Sequence, residues 1–156
     1  MCESNNAQVQ WLVDRAHISD LLFSFASCID TKNYQGYADN FVEGGYVELP
    51  EPTSKTGETF KMYREKMVEL MPHGLGKYKG THHLSTNHQI TIQGDTATSR
   101  SYLQAVHIGE TPHDHWDGGG WYDSTYQRTP QGWKFASVKL NVLWLTGAPK
   151  QMKADI

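Results

Sequence analysis

Thr81-His82-His83-Leu84-Ser85-Thr86-Asn87-His88-Gln89-Ile90-Thr91-Ile92 is a histidine-loaded segment that runs into a β-strand and opens the extended half of the chain. In an extended strand successive side chains point to opposite faces, so His82 and His83 cannot both enter one cavity. Periodicity does not choose between them.

Downstream of this segment, turn signals divide the chain into four extended stretches. Leu84 to Gln93 ends in Gly94-Asp95, Thr96 to Ile108 ends at Gly109, Trp121 to Thr129 ends in Pro130-Gln131-Gly132, and Trp133 to Leu145 ends in Thr146-Gly147. Connections this short require antiparallel neighbours, because parallel strands need long crossovers. Upstream, Leu12, Ala16, Ile18, Leu21, Leu22, Phe25, Ala26 and Ile29 carry the three-and-four spacing of an amphipathic helix over Val9 to Ile29. Asp30-Thr31-Lys32-Asn33 supplies its stop. If the helix persists to Asp30, the carboxylate shares a face with Leu22 and Ala26 and loses part of its water; otherwise Asp30 is a turn residue in solvent. Tyr34 to Phe41 reads as a second helix broken by Gly44-Gly45, Tyr46 to Leu49 as a strand, and Pro50 to Ser54 as an exposed loop. Glu58 to Met71 reads as a third helix with a methionine-rich stripe, ended by Pro72-His73-Gly74. Helices followed by a long antiparallel sheet make an α+β plan, with helices on one sheet face and a curved cone whose open mouth forms a pocket.

With 156 residues and no internal linker, the chain reads as a single domain over 1–156, with residues 1–8 and 147–156 as flexible tails. The formal net charge of -3 lacks the basic footprint of a nucleic-acid binder. No run of about 18 apolar residues suggests a membrane span, and the polar start does not resemble a signal peptide. Cys2 and Cys28 form no disulfide framework, which fits a cytoplasmic location. The 5 Trp and 8 Tyr exceed what one small core needs, so part of the aromatic set is expected to line a cavity for an apolar ligand.

Together, Cys28-Ile29-Asp30-Thr31-Lys32, His83-Leu84-Ser85-Thr86-Asn87, Gly94-Asp95-Thr96-Ala97, Gly119-Gly120-Trp121-Tyr122-Asp123 and Gly132-Trp133-Lys134-Phe135 resemble SnoaL-like proteins of the nuclear-transport-factor-2-like superfamily. The resemblance covers nearly the whole chain and implies an α+β cone, a curved antiparallel (mixed) sheet wrapped by three N-terminal helices. The pattern is most similar to scytalone dehydratase, bile-acid 7-alpha dehydratase and lindane dehydrochlorinase. In that group an aspartate ending the first helix orients a histidine at the start of a strand, and Asp30 and His83 match those positions. The resemblance thus selects His83 over His82 and implies a cofactor-free lyase for a hydrophobic cyclic small molecule of secondary metabolism. It also implies a homodimer or homotrimer formed through the outer sheet face. An isomerase or cyclase using the same dyad is one alternative, and a non-catalytic ligand-binding or dimerisation module is another. The physical logic stands beside the resemblance, because imidazole titrates near neutrality and a hydrogen-bonded carboxylate fixes its tautomer.

Departures from these relatives direct attention to other residues. Ile29 stands where scytalone dehydratase has tyrosine, and Phe25 where the bile-acid enzyme has tyrosine. A phenol, if used, comes from elsewhere; Tyr46, Tyr102 and Tyr122 are the strand candidates for substrate binding, beside Phe25 and Asn141, and the competing reading of each tyrosine is a core aromatic whose hydroxyl reaches the surface. Asn141 offers only an amide where the bile-acid enzyme carries a basic residue on its last strand. His107 shares a strand face with Leu103 and Ala105 and is a second acid-base candidate. His107-Ile108-Gly109-Glu110-Thr111-Pro112-His113-Asp114-His115-Trp116-Asp117 crowds metal-ligand residue types into one loop, but the spacing fits no fixed ligand pattern, so no metal is assigned.

Overall fold

The computed structural model describes residues 2–51, 57–111 and 113–147. The elements in chain order are α1 (Cys2–Asp30), α2 (Tyr34–Asp39), β1 (Phe41–Pro50), β2 (Thr59–Tyr63), α3 (Arg64–Leu75), β3 (Gly80–Gln93), β4 (Thr96–Ile108), β5 (His115–Thr129) and β6 (Gly132–Gly147). Among the described residues, three helices and one six-stranded sheet in the order β2-β1-β6-β5-β4-β3 make the α+β cone that the sequence predicts. The sheet is mixed, because β1 runs parallel to β6 while the other neighbours are antiparallel.

The apolar stripe of α1 fills the concave face of the sheet. Ile18 and Leu22 are buried, and Phe25 packs on Tyr37, Tyr122 and Phe135 with ring centroids 4.7, 5.3 and 5.4 Å away. Burying a side chain such as Phe25 contributes about 1.5–3 kcal/mol. Phe25 therefore works as a core residue, and much of the aromatic surplus goes into this cluster, with Tyr37, Phe41, Tyr126 and Phe135 all at 3% exposure or less. Met67 and Met71 are also buried, as gap-filling methionines should be.

Several boundaries differ from the sequence expectation. The third helix begins at Arg64 instead of Glu58, because Thr59–Tyr63 is an edge strand paired with β1 from Pro50↔Thr59 to Tyr46↔Tyr63. Phe60 and Met62 are two apart, which serves a strand as well as a helix, and the free edge of β1 decides between them. α3 also runs through Pro72 to Leu75. The second helix stops at Asp39, and Phe41 opens β1. Gly44-Gly45 thus lies inside a strand, at an irregularity of the β1–β6 register between Phe41 and Tyr46. Gly44 has φ +70, and a Cβ on Gly45 would come 3.0 Å from the Val42 carbonyl oxygen. α1 takes in residues 2–8, which read as a tail; of the C-terminal tail only Gly147, the last residue of β6, lies within the described residues.

One polar network ties α1 to the far end of the sheet. Arg128 on β5 donates through both terminal nitrogens to the Asp14 carboxylate at 2.7 and 2.7 Å, and the Trp133 indole N–H adds a bond of 3.0 Å. Arg128 Nε also donates to Asp95 at 2.9 Å. The Asp14 side chain is 4% exposed, and the Arg128 guanidinium holds its carboxyl down at about 2 against the penalty of burial.

Candidate active site

Asp30 is the last residue of α1, so the helix does persist far enough to place its carboxylate on the buried side. There it meets the start of β3, which begins at Gly80 and so carries both His82 and His83 within the strand. Strand alternation turns His82 outward to solvent and His83 inward, where its side chain is 7% exposed. Asp30 Oδ1 lies 2.7 Å from His83 Nδ1 and accepts the Thr81 hydroxyl at 2.9 Å, while Oδ2 accepts the His83 backbone N–H at 2.9 Å. The carboxylate therefore fixes the ring and its own strand together. A carboxylate accepts only, so Nδ1 carries the proton and Nε2 keeps its lone pair.

His107 on β4 pairs in register with Thr81 on β3 and Trp116 on β5, which brings it beside His83 on the inner face. The two imidazole centroids are 5.2 Å apart at 84°. Trp116 stacks on His107 at 3.8 Å and 3°, and Tyr78 meets the His107 ring edge-on at 5.1 Å. Burial pushes both histidines below the usual imidazole value, and for His83 the Asp30 hydrogen bond works in the opposite direction. His107, with the His83 ring adding to the effect of burial, goes down to about 4.

These neutral histidines have a consequence for stability. Unfolding exposes them to water, where they take up protons near pH 6.5, so the folded state loses stability as pH falls from there toward the lower folded values. For His107 alone, a shift from 6.5 to about 4 corresponds to roughly 3 kcal/mol. His88 is shifted in the same direction by burial. Thermal melts at neutral pH and at about pH 4.5 should show a smaller acid loss for His107→Gln than for the wild type. Equal losses in the two proteins would contradict a buried neutral His107.

The remaining predicted residues divide by face. Tyr122 is inward and buried, against Phe25 and within the field of Asp30, and desolvation raises its phenol well above the usual value. Tyr46, Tyr102 and Asn141 do not join the dyad. Tyr102 is 48% exposed on the outer face of β4, opposite the buried Ser101. Its register partner Trp121 and the next residue across, Asn141, bond Asp123 on that same side at 3.2 and 3.1 Å. Tyr46 flanks the buried Val47 and packs on Tyr63 and Lys61 at the sheet edge. Two surface clefts, of about 320 and 520 Å³, are lined by other residues, with His17, Ser24 and Trp133 in one and Asp39, Arg64 and Lys134 in the other.

The histidine-rich loop is shorter than the sequence suggests, because β5 starts at His115. There His115 Nδ1 lies 3.0 Å from Asp117 Oδ1. Among the described residues no group of three or more His, Cys, Asp or Glu side chains converges as metal ligands do. Nor is any described helix long and apolar enough to cross a membrane. Sequence reasoning missed Thr81, Tyr78 and Trp116. Thr81 was accessible, since it lies two residues from His83 and so shares its face.

Comparison with known proteins identifies relatives of the whole fold. An uncharacterized protein of Mycobacterium tuberculosis is 27% identical over 123 residues, which is 78% of this chain and 80% of that protein. Two solved structures share the fold. A candidate scytalone dehydratase from Novosphingobium aromaticivorans has a TM-score of 0.73 at 21% identity, covering 96% of this chain and 97% of its own. A type 2 hexachlorocyclohexane dehydrochlorinase has a TM-score of 0.74 at 19% identity, covering 89% and 91%. The SnoaL-like domain model matches residues 10–139, a span that holds α1 from its third turn onward, Asp30, His83 and the sheet into the first half of β6, and the chain belongs to the SnoaL-like family.

Proposed function

We propose that the protein is a cofactor-independent lyase of dehydratase type, acting on a hydrophobic cyclic small molecule with His83 as general base and Asp30 as its orienting carboxylate. The observation that carries this reading is the Asp30 carboxylate bonded at once to His83 Nδ1 and to the His83 backbone N–H, at 2.7 and 2.9 Å. A buried imidazole needs such a partner to present a bare Nε2 as base. His83 Nε2 takes the proton from carbon, the C–H electron pair becomes the new double bond, and the C–O bond breaks with its pair on oxygen. The proton then passes from His83 to the departing hydroxide, which leaves as water and restores the base. His107, neutral and 5.2 Å from His83 by ring centroid, hydrogen-bonds the departing oxygen. Solved structures with this fold include proteins named for removal of water or of hydrogen chloride, which supports elimination as the reaction class. The proposal includes homo-oligomerisation through the outer sheet face, and the exposure of Tyr102 and Leu84 there supports it.

The test is a panel of cyclic compounds bearing an acidified C–H next to a hydroxyl or chloride, incubated with the protein with and without EDTA and followed by mass spectrometry. The expected product has lost water or hydrogen chloride at a rate indifferent to EDTA. Products of unchanged mass would replace elimination by isomerisation or cyclisation. Binding of panel members with no turnover would contradict the enzyme reading.

A further inference from the structure

We propose that Trp116 and Tyr78 are positioning residues for His107, a clamp that fixes the plane of the second imidazole relative to the dyad. The inference rests on the elimination reading only for what His107 does; the clamp itself is carried by geometry. The terminal torsion of a histidine is broad and is not held by rotamer preference alone. Here the indole lies parallel to the imidazole at 3.8 Å and 3°, which leaves His107 edge-on to His83 at 84°. The indole is fixed in turn, because Trp116 Nε1 donates to the Tyr78 hydroxyl at 2.8 Å, and Tyr78 is 2% exposed. Tyr78 also closes on the His107 ring from the side. His107 Nδ1 is buried with no hydrogen-bond partner among the described residues, so at that nitrogen only packing holds the ring, and the Trp116 backbone, which also hydrogen-bonds the imidazole, adds to the hold of the indole face.

The Tyr78 segment is anchored to both catalytic elements. Lys32, two residues beyond Asp30, donates through Nζ to the backbone oxygens of Tyr78 at 2.8 Å and Gly76 at 3.2 Å. The Lys79 backbone N–H donates to the Ile108 oxygen at 2.9 Å, beside His107 on β4. One short connection thus ties the end of α1, which presents Asp30, to the end of the strand that presents His107. The charged or titratable groups around His107 are His83, Asp30, Asp117 and Tyr78. Aromatic pairs favour defined stacked and edge-on geometries, so two such contacts on one imidazole select one ring orientation.

The experiment is a histidine NMR titration of the full chain as wild type, Trp116→Leu, Trp116→Phe and Tyr78→Phe, with His83 recorded in the same spectra. Removing the indole admits water to His107, so in Trp116→Leu its protonation constant should rise at least about tenfold, an order of magnitude per pKa unit. Tyr78→Phe should move it the same way by less, and Trp116→Phe should retain most of the wild-type behaviour. The His83 titration should stay nearly fixed throughout. If Trp116→Leu does not fold, Tyr78→Phe decides. An unchanged His107 in folded Trp116→Leu or, failing that, in Tyr78→Phe, or His83 shifting in parallel with it, overturns the clamp. The tautomer of His83 in the wild-type spectra is a separate readout, so failure of the dyad and failure of the clamp are distinguishable.

Discussion

His83→Ala lowers kcat/KM by about 10²–10⁴-fold on any compound the protein turns over, since that is the contribution of a positioned general base. The fold should be retained, because the ring sits at the edge of the main core and the deleted contacts are to Asp30 and His107. Asp30→Asn gives a loss of similar order by a different route. An amide can donate to Nδ1 and turn the ring to the wrong tautomer, an effect of about 10⁴-fold in the serine-protease triad. His82→Ala is the control; His82 is exposed on the opposite face of β3 and should stay near the wild-type rate. Steady-state kinetics on the three variants checks the set, and equal losses for His82→Ala and His83→Ala would contradict the assignment of faces.

Arg128→Ala should be the most destabilising change outside the apolar core. It strands the Asp14 carboxylate, 4% exposed, which Arg128 holds with two bonds of 2.7 Å. Breaking a buried pair by removing one partner costs about 3–5 kcal/mol, because the remaining charge is buried without its counter-ion, and here only the neutral Trp133 and Gln10 donors stay with it. Arg128 itself is 32% exposed, so solvent weakens its attraction to Asp14 and the low end of that range applies. Arg128→Lys should recover only part of the loss, because a point charge cannot reproduce the two-pronged contact. Urea unfolding at neutral pH measures both. A loss under about 1 kcal/mol for Arg128→Ala would mean that Asp14 is hydrated and the network is a surface pair.

Much of the fold was legible because it rests on periodicity. The stripe from Leu12 to Ile29 carries α1 to Asp30, and turn signals at Gly94-Asp95 and Pro130-Gln131-Gly132 mark the hairpins of the sheet. Where two readings share a spacing, sequence could not choose. Phe60 and Met62 suit helix and strand alike, and only pairing with β1 makes Thr59–Tyr63 extended. Gly44-Gly45 reads as a helix breaker but acts as a bulge, because its effect depends on the register with β6. At the site, Asp30 and His83 came from the resemblance to an Asp–His pair, whereas Tyr102 and Asn141 were raised where the chain departs from those relatives. The alternation that puts Leu103 and Ala105 on the His107 face puts Tyr102 on the other one. Trp116 and Tyr78 were not legible, since their relation to His107 depends on strand register and on a connection anchored by Lys32.

The most direct test of the Asp30–His83 dyad is the nitrogen-15 NMR spectrum of the His83 ring at neutral pH, in wild type and in Asp30→Asn. The predicted result for the wild type is a neutral ring with its proton on Nδ1 and a bare Nε2, titrating below about 6.5, the ordinary imidazole value. In Asp30→Asn that tautomer preference should be lost. A wild-type His83 that carries its proton on Nε2, is charged at neutral pH, or is unaffected by Asp30→Asn would contradict the account.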